Sequence, residues 1–161
     1  MHTPPQAVPV DAERMLLASA FVDARWLATA RRDLTASHFS EPRHQEIWQA
    51  IVASAPEGGT ADEVTLVAHL AQSGRLDIVG GAVGVSELGS ILLGASASVA
   101  RWQQMVEDGA RHREIAKTLE LLQTMSASGA FTPAELAEKA ASIAGLVEQR
   151  KKGDDGPRRF D

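Results

Sequence analysis

"SHFSEPRHQEIWQAI", residues 37–51, decides how the rest of the chain is read. It holds His38, Glu41, His44 and Glu46 within nine positions, so a metal or acid–base site competes with a plain amphipathic helix. A zinc site wants three or four converging ligands, often two on one helix face at i, i+4. Four residues to either side of His44 stand Ser40 and Trp48, which gives no ligand pair. His44, Ile47, Trp48, Ile51 and Val52 instead fall at i, i+3, i+4, i+7 and i+8, a single apolar face. The stretch reads as a helix capped by Ser40, with Pro42 in the first turn, where a missing N–H costs nothing. His44 then belongs to the core, its ring nitrogen bonded to a nearby backbone group. His38 and Glu41 lie before or at the helix start, and His2, His69 and His112 are scattered singly. No metal and no cofactor is expected.

Working outward from this helix, residues 1–10 carry three prolines and read as an extended arm. Asp11 is a candidate N-cap for a helix over 12–22 that includes Leu16 and Leu17, and Glu13 reads with Asp11 as a cap and dipole pair. A second helix near 23–32 is anchored by Trp26 and Leu27 and ends in Arg31 and Arg32, where cations suit the helix dipole. "TADE", Thr60 to Glu63, has capping-box spacing, with Asp62 as the alternative cap, and opens a helix carrying Leu66 and Leu70. Gly74 fits its C′ position. "RLDIVGGAVG" reads as a turn region, followed by a short helix around 85–93. The predicted core is Leu16, Leu17, Phe39, His44, Ile47, Trp48, Leu66 and Leu70.

From Val99 to about Ser126, apolar residues recur at near-heptad spacing, with Trp102, Met105, Val106, Ile115, Leu119, Leu122 and Met125 among them. "SASG" breaks the pattern. "TPAE", Thr132 to Glu135, is a second capping box with Pro133 at N1, and Leu136, Ala140, Ile143 and Val147 then step by 4, 3 and 4. The fold class is therefore all-α, a cluster of about five short helices over 11–97 and then a long antiparallel hairpin over 98–150. Residues 151–161, "KKGDDGPRRFD", read as a disordered tail or the start of a linker. A hairpin that projects needs another chain to cover its stripe, whereas one that folds back on the cluster does not. Periodicity leaves both open.

Composition narrows the function classes. Among 161 residues, aromatics are 4 %, and Cys and Tyr are absent, which removes disulfides, zinc–thiolate sites and thiol nucleophiles. The net charge of −5 does not draw the chain to nucleic acid. No apolar run approaches the roughly 18–20 residues of a membrane span. The first ten residues lack the basic-then-apolar order of a signal peptide, so a soluble, cytoplasmic protein is expected.

The order of the segments is similar to a known family. "PPQAVPVDAERMLLASAFVD", "LTASHFSEPRHQEIWQAI", "GGTADEVTLVAHLAQSGRLDIVGG", "SELGSI", "ARWQQMVEDGARHREI", "AELAEKAASIAGLVEQR" and "GDDGP" resemble, in sequence order, the N-terminal domain of the DnaB-type replicative helicases and the start of the linker after it. Gly84 departs from the family's usual Tyr, and Ser40 from a frequent aromatic. Gly109 sits inside the long helix, at a cost of about 1 kcal/mol relative to Ala. The G-x-x-x-x-G-K-[ST] loop of the motor domain does not occur in these residues.

The resemblance implies a non-catalytic oligomerisation and docking module. In the family, hairpins pair between subunits into a trimer-of-dimers collar that binds primase and, in some cases, a helicase loader. Trp102, Met105, Val106, Leu119, Leu122, Ile143 and Val147 are the expected self-association residues, with Arg111 and Arg113 as candidate partner contacts. Direct DNA binding is expected to be weak or absent. The chain reads equally as a piece of a full helicase or as a stand-alone protein acting on a helicase–primase assembly. The alternative from another class is a small DNA-binding regulator with a helix-turn-helix, against which stand the acidic balance and the lack of a basic recognition helix. A small α-helical enzyme lacks any converging catalytic set.

Overall fold

Helix starts in this chain are set by what the free amides of each first turn can find. A computed structural model describes residues 10–91, 99–129 and 131–154, with side chains through residue 145. Among these residues the elements are α1 (Val10–Ser19), α2 (Ala24–Asp33), a 3-10 turn (Ala36–His38), α3 (Pro42–Ser54), α4 (Glu63–Gln72), α5 (Gly81–Ser90), α6 (Val99–Ser128) and α7 (Pro133–Asp154). The all-α expectation holds. The described residues form two bodies, divided after Ala110 inside α6.

In the first body the side-chain caps are Asp23, which accepts from the Trp26 N–H at 2.9 Å, and Asp62, which accepts from the Thr65 N–H at 2.8 Å. Asp62, not Thr60, therefore caps α4. The other end of α4 closes with Gly74 at φ +68, where the Arg75 N–H reaches the Leu70 carbonyl and the Gly74 N–H that of Ala71. Three local expectations shift. The α1 helix already includes Val10, so Asp11 lies in its first turn instead of capping it, and it ends at Ser19, where the Asp23 N–H bonds the Ser19 carbonyl. The N-cap position of α3 is Glu41, with no side-chain bond, because the Ser40 N–H turns back toward Glu13. The α5 helix begins at Gly81, since the turn before it closes early through the Gly80 N–H to Asp77 and the Gly81 N–H to Leu76.

The core lies where α1 meets α3 and α5 and where α4 packs between α3 and α5. Leu16, Leu17, Phe39, His44, Ile47, Trp48, Leu66 and Leu70 are each at most 3 % exposed. Full burial of one such aliphatic or aromatic side chain contributes about 1.5–3 kcal/mol. Trp48 is the centrepiece. Its ring lies 5.6 Å from Phe39 and 6.2 Å from Trp26, and its Nε1–H donates to the Leu34 carbonyl at 3.2 Å. Val52, placed by spacing on the same face as His44, is 40 % exposed, so the buried stripe of α3 is one residue narrower than the pattern suggested. Gly84 allows a close approach, because a Cβ there would overlap the Val79 carbonyl oxygen.

The first three turns of α6 belong to this body. Val99 and Val106, seven residues apart, are buried, Trp102 packs against the core, and the Trp26 Nε1–H donates to Gln103 Oε1 at 2.8 Å. The first body thus runs past residue 98, where the hairpin was expected to begin, to Ala110. The α7 helix continues through Asp154, so residues 151–154, expected to be tail, are helical. Residues 155–161 and most of the expected N-terminal arm lie outside the described residues, as does the 92–98 segment.

Candidate functional site

Polar chemistry in the first body converges at one buried point. Glu13 is fully buried on α1. Its Oε1 accepts the Ser40 N–H at 2.6 Å and its Oε2 accepts the His44 Nδ1–H at 2.7 Å. A carboxylate can only accept, so the Nδ1 nitrogen carries the hydrogen. Burial pushes the Glu13 carboxyl up, but the bonds from His44 and Ser40 more than offset it and hold it below the ordinary carboxylate range. His44 is the core histidine the spacing requires, yet its partner is a carboxylate and not the backbone. Glu13 is not a surface dipole residue. The pair ties α1 to α3 and to the segment before α3. Among the described residues no group of three or more His, Asp or Glu is placed to hold a metal.

A groove of about 320 Å³ between α3 and α4 is lined by Glu46, Gln49, His69 and Arg75 among others. Arg75 bonds Glu46 and Gln49 through one nitrogen, which raises its pKa through the Glu46 bond. Its charge is matched on the spot.

The second body, from Arg111 onward, presents a surface of a different kind. Along α6 Arg111, Ile115, Thr118, Leu122 and Met125, stepping by 4, 3, 4 and 3, are shielded, with Arg113 the one shielded residue off this line. On α7 they are Leu136 and Ile143, seven apart. Each helix therefore covers a single narrow stripe. The start of α7 is fixed by the expected capping box. The Thr132 N–H and Oγ1–H donate to Glu135 Oε2 at 2.8 and 2.9 Å, which lowers the Glu135 pKa.

Leu119, Leu121 and Phe131 remain 48 %, 49 % and 42 % exposed. Of the residues singled out by heptad spacing, Leu119 is thus open, and Leu122 and Ile143 are half-covered. Val106 is correctly periodic but fully buried in the first body, which removes it from any surface seam. Trp102 and Met105 are half-buried there. The Val147 side chain lies outside the described residues. Arg111 and Arg113 are half-buried, and neither is free of a partner. Leu121 and Phe131 went unselected because Leu121 sits off the heptad stripe and Phe131 sits in the loop, where periodicity carries no signal.

The described residues thus form an all-helical first body and, from Arg111 onward, a second helical body on which Leu119, Leu121 and Phe131 are exposed. Residues 3–108 match the DnaB-like helicase N terminal domain, and the chain belongs to that family. It is 34 % identical over 113 residues to the replicative DNA helicase DnaB of Treponema pallidum (strain Nichols), covering 70 % of this chain and 26 % of that protein. It is 33 % identical over 115 residues to the same helicase of Geobacillus stearothermophilus, covering 71 % and 25 %. The chain thus spans about a quarter of the length of these relatives. The crystal structure of the N-terminal domain of DnaB helicase from Mycobacterium tuberculosis superposes with a TM-score of 0.75 at 25 % identity, covering 89 % of this chain and 99 % of that one. The matched region is the non-catalytic part of such helicases, and the motor's phosphate loop is absent from these residues. The family assignment displaces the helix-turn-helix alternative. No helix among the described residues is long and apolar enough to cross a membrane.

Proposed function

We propose that the chain is the self-associating, partner-docking domain of a cytoplasmic replicative DNA helicase. In this reading its second bodies pair between copies, pairs assemble into a collar, and the collar offers primase or a loader a docking platform. The domain serves in this way within a complete helicase, or as a separate chain acting on one. The observation that carries the reading is the exposure of Leu119, Leu121 and Phe131 on a body whose described residues form two helices. Two helices cannot shield large apolar side chains on every side, and a second copy covers them in the simplest way. Leu122, Ile143 and Val147 extend the same seam, and Arg111 and Arg113 serve as polar contacts at its edge.

The test is the mass of the protein in solution by light scattering. A dimer or a higher multiple is expected. Placing a charge at a buried anchor of an interface costs on the order of 2 kcal/mol or more, about 30-fold in Kd. Leu119→Asp with Leu121→Asp therefore shifts the protein to monomer, while the helical circular dichroism stays intact because both positions are half-exposed in one chain. An assembly that persists in this variant places the seam elsewhere.

A further inference from the structure

The outer face of α4 carries apolar side chains with nothing packed on them. Leu66 and Leu70 turn into the core, whereas Val64, Ala68 and Ala71, at i, i+4 and i+7, are all exposed. Val64 is 77 % exposed, more than any other large hydrophobic among the described residues. A lone exposed valine is ordinary, but a stripe on one helical face has the spacing of a helix-docking site.

The charge around this stripe has one sign. Asp62 and Glu63 directly precede Val64. The Glu63 carboxylate lies 3.5 Å from where a Cβ on Gly89 would stand, which brings the end of α5, with the exposed Glu87, to the same end of α4. Between residues 61 and 91 the acids are Asp62, Glu63, Asp77 and Glu87, and the one cation is Arg75, which is committed to Glu46 of α3. Among the described residues none of these four acids makes an ion pair. The face is thus an aliphatic stripe with carboxylates at its N-terminal end, where Asp62 caps the helix and Glu63 and Glu87 have no ion-pair partner among the described residues. Its complement is a helix with aliphatic residues at i, i+4 and i+7, flanked by Lys or Arg. The same carboxylates repel nucleic acid and anionic lipid.

We infer that the outer face of α4, with the end of α5, docks a basic amphipathic helix of a partner protein. The inference rests on the docking role proposed above but uses a surface on the first body, apart from the self-association seam. The probe is a synthetic amphipathic helix of Leu and Lys, titrated into the full chain labelled at its valine and leucine methyls. Shifts centred on Val64 and Val67 are expected, with affinity falling as salt rises from about 50 to about 500 mM. Val64→Asp and, separately, Glu87→Lys each weaken binding about tenfold or more, and a peptide with Glu in place of Lys does not bind. Both positions are exposed, and if one variant fails to fold the other stands alone. Shifts centred elsewhere, unchanged affinity in the folded variants, or no binding at all overturns the inference. A change in the mass of the protein alone on Val64→Asp identifies the face as a self-contact, which also overturns it. Failure of the seam is read separately, since the Leu119→Asp, Leu121→Asp variant keeps peptide binding if only the self-association reading is wrong.

Discussion

Glu13→Ala removes the acceptor from a buried node, and its cost follows from what is left behind. The Ser40 N–H and the His44 Nδ1–H, bonded at 2.6 and 2.7 Å, both lose their partner, and His44 is only 2 % exposed. Each orphaned buried group costs about 1–3 kcal/mol. Both bonds run to a charged acceptor, and hydrogen bonds to charged groups lie in the upper part of that range, at about 1.5–3 kcal/mol. With His44 buried and Ser40 only half-buried, the two together give a loss of about 3–5 kcal/mol, a large share of the roughly 5–15 kcal/mol that holds a typical domain. For a chain of this size about 2–4 °C of melting temperature corresponds to 1 kcal/mol, so a fall of about 6–20 °C is expected by calorimetry. His44→Leu alone strands the carboxylate and costs a similar amount. The double variant Glu13→Met, His44→Leu removes both partners and recovers part of the loss, leaving mainly the Ser40 N–H unmet. If either single variant melts within 1–2 °C of the wild type, or the two losses simply add in the double variant, the node does not hold α1 to α3. The protein also gains an acid sensitivity from Glu13. Its carboxyl titrates lower in the fold than in the unfolded chain, so the stabilisation is present above the ordinary carboxylate range and is lost as pH falls through the depressed value. Glu13→Gln flattens the dependence of melting temperature on pH below about pH 4.5.

Two further outcomes follow from packing. Trp48→Ala empties the centre of the first body and costs about 3–5 kcal/mol, read as a lower denaturant midpoint, and an unchanged midpoint would sink its assignment to the core. Gly84→Ala forces α5 away from the Val79 carbonyl and destabilises by about 1–3 kcal/mol; a neutral result would mean that the turn before α5 yields freely.

What could be read in the sequence was whatever repeats at short range. The α3 face from His44 to Ile51, the Thr132 cap and the Gly74 terminus all depend on residues within a turn or two of one another, and each stands where spacing puts it, whereas at α4 the capping-box spacing pointed to Thr60 and the cap is the alternative, Asp62. The Glu13 node was not legible, because Glu13 and His44 are 31 residues apart and only the packing of α1 on α3 brings them together. That contact also explains the misread start of α3, since Ser40 gives its N–H to Glu13. The division inside α6 was equally hidden. A heptad pattern marks which side of a helix is apolar but not which neighbour covers it, so Val106 and Leu119 look alike in sequence. One is sealed in the first body and the other lies open.

The placement of the tryptophans makes the molecule its own reporter. Trp26, Trp48 and Trp102 are the only tryptophans, tyrosine is absent, and all three fall before the division after Ala110. Excited near 295 nm, the protein emits from the first body alone, while far-ultraviolet ellipticity sums the helices of both. A single denaturant titration followed by both signals then separates the two melting events without any label. Coincident curves would mean one cooperative unit, and an ellipticity change that leaves the emission untouched would isolate the unfolding of the α6–α7 extension.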